Sequence, residues 1–136
     1  MSQINFPISR SETVEVLINN VSVSQFNFKD NETSLDNVKL HGIIIHSAAV
    51  STTPLNAKTI VPDAISKKGT ITIVGPNGKE VLKSLPLETF YNDNKNMIQL
   101  NGIEVNIRKS FITLQDRVGL TVAMAFLITF FYEPIK

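Results

Sequence analysis

The sequence predicts an all-β protein, an antiparallel sandwich or barrel of eight to ten short strands with one short helical turn. Three observations carry this expectation. Runs rich in Val, Ile, Thr and Phe recur along the chain, separated by Gly, Pro and Asn turn signals about every 8–12 residues. No long amphipathic helical pattern and no internal repeat interrupts them. The third observation is the last apolar run, Leu120–Tyr132, which carries more apolar surface than any other segment. At period two it places Val122, Met124, Phe126, Ile128, Phe130 and Tyr132 on one face. Thr121, Ala123, Ala125, Leu127, Thr129 and Phe131 fall on the other. One large apolar face and one mixed, small face suit a strand lying between a core and a neighbouring layer. A membrane helix needs about 20 apolar residues, and Asp116, Arg117 and Glu133 bracket this shorter run. A buried helix fits less well than a strand because β-branched and aromatic residues dominate.

The elements follow in order. Thr13–Ile18 alternates as a strand, and Asn19-Asn20 signals a turn. Val21, Val23, Gln25 and Asn27 then alternate with Ser22, Ser24, Phe26 and Phe28 as a further strand, and the pattern changes face near Ser24-Gln25, the mark of a β-bulge. Lys29–Asn37 is polar and reads as a loop. Val38–Ala49 is the second strong strand, and Gly42 inside it predicts a bend or a close backbone approach. Ala57–Val61 reads as a short strand closed by Pro62. Gly69–Val74 and Lys79–Lys83 form a hairpin around Gly75-Pro76-Asn77-Gly78. Leu85–Phe90 reads as one helical turn with Pro86 early, where a missing N–H costs nothing. Met97–Leu100 and Ile103–Ile107 read as a second hairpin around Asn101-Gly102. Arg108-Lys109-Ser110 then links to a strand over Phe111–Leu114, and Gln115–Gly119 turns into the long final strand.

With 136 residues the chain is expected to form a single domain, 1–136, with residues 1–11 set apart as an N-terminal arm. Hydrophobic residues make up 43 %, which excludes a disordered chain. Thirteen basic and twelve acidic side chains leave a net charge of +1, so no electrostatic footprint for nucleic acid exists. The absence of cysteine excludes disulfides, thiolate nucleophiles and zinc–thiolate sites, and fits a reducing cytosol. The first ten residues lack the pattern of a secretory signal, so the sequons at Asn20 and Asn31 read as chance.

The residues offer no catalytic set, and the expectation is no enzyme, no cofactor and no metal. His41 and His46, five apart on one strand, are expected on opposite faces and unable to share an ion. Asp30 and Glu32 read as a solvated turn. No nucleophile elbow, phosphate loop or dinucleotide fingerprint occurs. Lys67, Lys68, Lys79 and Lys83 surround the first hairpin and read as a lysine-protected edge rather than a contact for an acidic partner. Most of the eight Phe fall at core positions. Phe26, Phe28, Phe90 and Tyr91 do not, and they either cap the core or fill a partner's pocket.

One resemblance extends over Ile60–Pro134. An I-T-I-V strand, a G-P-N-G-K-E turn and a V-L-K strand lead to L-P-L-E-T-F. An Asn101-Gly102 turn, an R-K-S-F-I-T-L strand, a polar turn and a long aromatic-rich strand follow. This order resembles the single jelly-roll structural proteins of small tailless bacteriophages and the individual barrels of their double jelly-roll coat proteins. The resemblance implies a jelly roll of two four-stranded antiparallel sheets. It also implies a virion structural (capsid) protein, assembled in the host cytoplasm through edges, loops and termini, often as a vertex (penton) pentamer with other capsid proteins. It carries over no catalytic residue. The alternative expectation is a cytoplasmic β-sandwich binding module that grips a glycan or protein with its end loops.

Overall fold

The computed structural model describes residues 10–28, 35–48, 59–92 and 99–134. Eight strands run β1 (Arg10–Leu17), β2 (Gln25–Asn27), β3 (Val38–Ile45), β4 (Thr59–Ile60), β5 (Gly69–Val74), β6 (Glu80–Pro86), β7 (Gln99–Leu114) and β8 (Met124–Pro134). A single helical turn, α1 (Asp63–Ser66), follows β4, and a 3-10 turn, Leu87–Phe90, follows β6. Every strand pairing is antiparallel except that of β4 with β8.

The long strand β7 belongs to two sheets. Its first part, up to Val105, pairs with β3, and its second part, from Asn106, pairs with β5 and β2. One sheet therefore reads β1-β8-β3-β7 and the other β2-β7-β5-β6. Two interleaved four-stranded antiparallel sheets in this order form a jelly roll. The corner is built by Asn106 and Ser110. Residues 107–110 face only Ile73 of β5, between the pairs Val74–Asn106 and Thr72–Phe111. Ser110 Oγ donates to the Asn106 carbonyl and accepts from the Val74 N–H, while Asn106 Oδ1 accepts from the Lys109 N–H. These bonds satisfy backbone groups that the bulge takes out of the ladder.

Between the sheets lies one apolar core. Val14 and Val16 of β1, Leu40, Ile43 and Ile45 of β3, and Phe126, Ile128, Phe130 and Tyr132 of β8 face Ile71, Ile73, Ile112 and Leu114. Phe26, Phe28, Phe90 and Tyr91 all join this core, so they cap it and none is left to fill a partner's pocket. Gly69 shows how closely the layers meet: a Cβ there would lie 2.6 Å from Leu114 and 2.9 Å from Leu87.

Several expectations are corrected. The final strand begins at Met124, not Leu120, and runs on to Pro134. Thr121 ends the preceding turn by accepting the Ala123 N–H on its hydroxyl and the Met124 N–H on its carbonyl. Val122 is consequently 55 % exposed and does not face the core. The expected second hairpin does not form. Gln99 and Ile103 both pair with β3, opposite Gly42 and Leu40. Asn101 (φ 54°) and Gly102 (φ 75°) supply the left-handed backbone of a bulge that continues the strand, not of a reversal. No bulge falls near Ser24-Gln25. The phase change there is the boundary between the Val21–Ser22 turn and β2. The turn expected over Leu85–Phe90 begins two residues later, because Leu85 and Pro86 still pair with Ile71 and Thr70. Only Thr59–Ile60 of the expected Ala57–Val61 strand is paired within the described residues. The first hairpin and the bend at Gly42 are found as expected. Residues 1–9 of the expected arm lie outside the described residues, and Arg10 and Ser11 already pair with Tyr132 and Phe131.

Candidate interaction surfaces

The two histidines occupy the same outer face of the first sheet, not opposite faces. Leu40 pairs with Tyr132 and Gly42 with Phe131, so His41 is an extra residue against β8 and shifts the alternation by one. His41 Nε2 lies 3.8 Å from Glu133 Oε1, and Lys39 Nζ lies 4.0 Å from the same oxygen. The His41 ring also covers Gly102, whose missing Cβ would sit 3.1 Å from it. His46 Nε2 is 2.9 Å from Thr129 Oγ1, which is 2.7 Å from Thr13 Oγ1. This chain ties β3, β8 and β1 together on the outer face, and burial lowers the His46 pKa below its ordinary 6.5. The neighbours of the two histidines, Glu133 and Thr129, are four residues apart on β8, or about 13 Å at 3.3 Å per residue. One ion cannot bridge them, and no group of three His, Cys, Asp or Glu suited to a metal occurs among the described residues.

A second polar cluster fixes the connection between β3 and β5. Ser47 Oγ donates to Asp63 Oδ2 at 2.6 Å, and the Ala48 N–H donates to Asp63 Oδ1 at 2.9 Å. The Ser47 N–H donates to Asn92 Oδ1 at 3.0 Å, and the Ser66 and Tyr91 hydroxyls are bonded to each other. All these groups satisfy buried backbone or side-chain atoms, which is structural work. Ser47 points toward Asp63 while His46 points toward Thr129, so the three do not form a nucleophile–base relay.

The expected lysine group divides. Lys67 pairs with Glu88 at 3.5 Å and Lys68 with Asp116 at 2.9 Å. The Lys68 ammonium, with the Val118 N–H, holds the Asp116 carboxyl below its ordinary pKa. Lys83 stands on β6, the edge strand of the second sheet, where charge discourages further pairing.

Exposed apolar side chains are concentrated at one end of the sandwich. Leu17 closes β1, Val21 and Val23 lie in the β1–β2 connection, and Val118 and Val122 lie in the β7–β8 connection. Arg117 ties the two connections together. Its Nε donates to the Val21 carbonyl at 3.2 Å and its Nη1 to the Leu114 carbonyl at 3.0 Å. Gly119 (φ 89°) follows Val118 in a turn closed by the Leu120 N–H on the Arg117 carbonyl, so Val118 is held at the apex, 85 % exposed. Sequence reasoning missed this surface because it placed Val21, Val23 and Val122 in strands.

No family model matches the chain, and neither any curated protein nor any solved structure matches it. No helix among the described residues is long and apolar enough to cross a membrane.

Proposed function

We propose that this is a non-enzymatic virion structural protein that self-assembles into a capsid, as a vertex (penton) protein. The reading is carried by the apolar end of the jelly roll. Of the six large apolar side chains exposed among the described residues, Val21, Val23, Val118 and Val122 belong to the two connections that Arg117 joins, and Leu17 ends β1 next to them. Exposed apolar surface gathered on one rigid end marks an association surface. Jelly-roll domains recur in capsids, which fits copies packed side by side, although fold alone does not fix function. Closed point-group assembly would then bury the valines between neighbours.

Light scattering on purified protein over a concentration series tests this reading. A defined cyclic oligomer is the expected result. A protein that stays monomeric at every concentration and captures glycans on an array would instead support the binding-module alternative.

A further inference from the structure

We infer that Asn77 is a site of spontaneous covalent modification, deamidation through a cyclic imide with the Gly78 amide, and that the fold holds the second Asn-Gly pair, Asn101-Gly102, out of the same reaction. The two pairs are identical in residue type, and both asparagines are exposed. Neither sequence nor exposure separates them. The backbone around each pair does.

Asn77-Gly78 sits at the tip of the β5–β6 hairpin, in a turn closed by the Gly78 N–H on the Gly75 carbonyl at 3.0 Å. Asn77 Oδ1 accepts the Lys79 N–H at 3.1 Å. A bond from the side-chain oxygen to the amide two residues on curls the carboxamide back over the intervening peptide, here the Gly78 nitrogen. The same bond stabilises the negative charge that develops on Oδ1 when a nucleophile adds to Cγ. Gly78 has no side chain to block the approach, and a Cβ built there would meet nothing within 4 Å. Freeing the nucleophile takes one exposed hydrogen bond, Gly78 to Gly75, at a hairpin tip where local opening costs little.

Asn101-Gly102 lies inside β7 instead. Gln99 is paired with Gly42 and Ile103 with Leu40, so both flanks are fixed to β3. The His41 ring covers Gly102, 3.1 Å from where a Cβ would stand. Closing a five-membered ring here would swing the backbone between two paired positions and against that imidazole.

The reaction balances with water as its one co-reactant. The Gly78 nitrogen bonds to Asn77 Cγ, the Cγ–Nδ2 bond breaks, and Nδ2 leaves as ammonia with the proton that Gly78 gives up. Water then opens the imide at either carbonyl and returns a proton to the nitrogen. Cleavage at Cγ yields aspartate. Cleavage at the main-chain carbonyl yields isoaspartate, whose backbone runs through Cγ. Either product adds one carboxylate next to Lys79, so the formal net charge falls by one, from +1 to zero. The inference is independent of the valine end and of a capsid role.

Incubating the full chain at mildly alkaline pH, then digesting it for mass spectrometry, reads both sites in one sample. In the folded chain Asn77 should convert at least tenfold faster than Asn101 and give both aspartyl and isoaspartyl peptides, with circular dichroism confirming the fold throughout. In denaturant the two sites should convert at similar rates, Asn101 accelerated at least tenfold and Asn77 not accelerated. A ratio below tenfold in the folded chain, or an Asn77 that reacts faster unfolded than folded, overturns the inference.

Discussion

Phe28 and Phe130 meet edge to face across the core, ring centroids 5.5 Å apart and planes at 85°. Phe130 lies in the middle of β8, and Phe28 directly follows β2, so the pair joins the two sheets. Aromatic pairs of this geometry add about 0.5–1.5 kcal/mol beyond the area they bury. Phe130→Ala should therefore cost about 3–5 kcal/mol, out of the roughly 5–15 kcal/mol that a domain of this size has. The expected outcome is a large fall in melting temperature, with Phe126→Ala close behind. A loss within about 0.5 kcal/mol for both, the range of a surface change, would show that β8 does not face the core as described.

The outer face of β8 is not a surface face. Thr129 is 9 % exposed and stands between Thr13 and His46. Thr129→Val removes the hydroxyl and keeps the shape, leaving two neighbours to find other partners. A loss of about 1–3 kcal/mol is expected by chemical denaturation, more than for a solvent-facing threonine.

His46 gives the stability a pH dependence with a definite sign. Burial lowers its folded pKa below the unfolded value of 6.5, so the unfolded chain takes up the proton first. Stability is full above the unfolded pKa and falls as pH drops through it toward the folded pKa. His46→Gln should flatten this slope between about pH 7 and 5, measured by urea midpoints across the range. An unchanged slope would place the dependence on other groups.

Gly69 is required by space rather than by backbone conformation. The nearest atoms to a Cβ there are buried side chains, Leu114 and Leu87, that have little room to move. Gly69→Ala should cost about 1–3 kcal/mol by overpacking. The same change at Gly78, whose missing Cβ meets nothing within 4 Å, tests only the strain of its left-handed φ.

How much of this was legible in the sequence depends on what each local pattern determines. The alternation of Val14 and Val16, and of Phe126, Ile128 and Phe130, reads directly as one buried face, and both strands are found. Gly42 signalled a bend, but a glycine does not say whether the ladder gains a residue. That one residue, His41, decides that both histidines share the outer face. Asn101-Gly102 carries the backbone preference of a tight turn, and the same dihedrals serve a bulge inside a strand. Only the pairing partner distinguishes the two, and β3 is some sixty residues away. The valine end was hidden for a related reason. Val21, Val23 and Val122 have strand propensity, and only the turns around them expose their side chains.

The most direct test of the assembly role is sedimentation velocity on the wild type beside Val118→Asp/Val122→Asp. Both valines are exposed, so the double variant should keep its fold and melting temperature. The account predicts a concentration-dependent oligomer for the wild type and its complete loss in the variant. An identical distribution of species for the two proteins would contradict it.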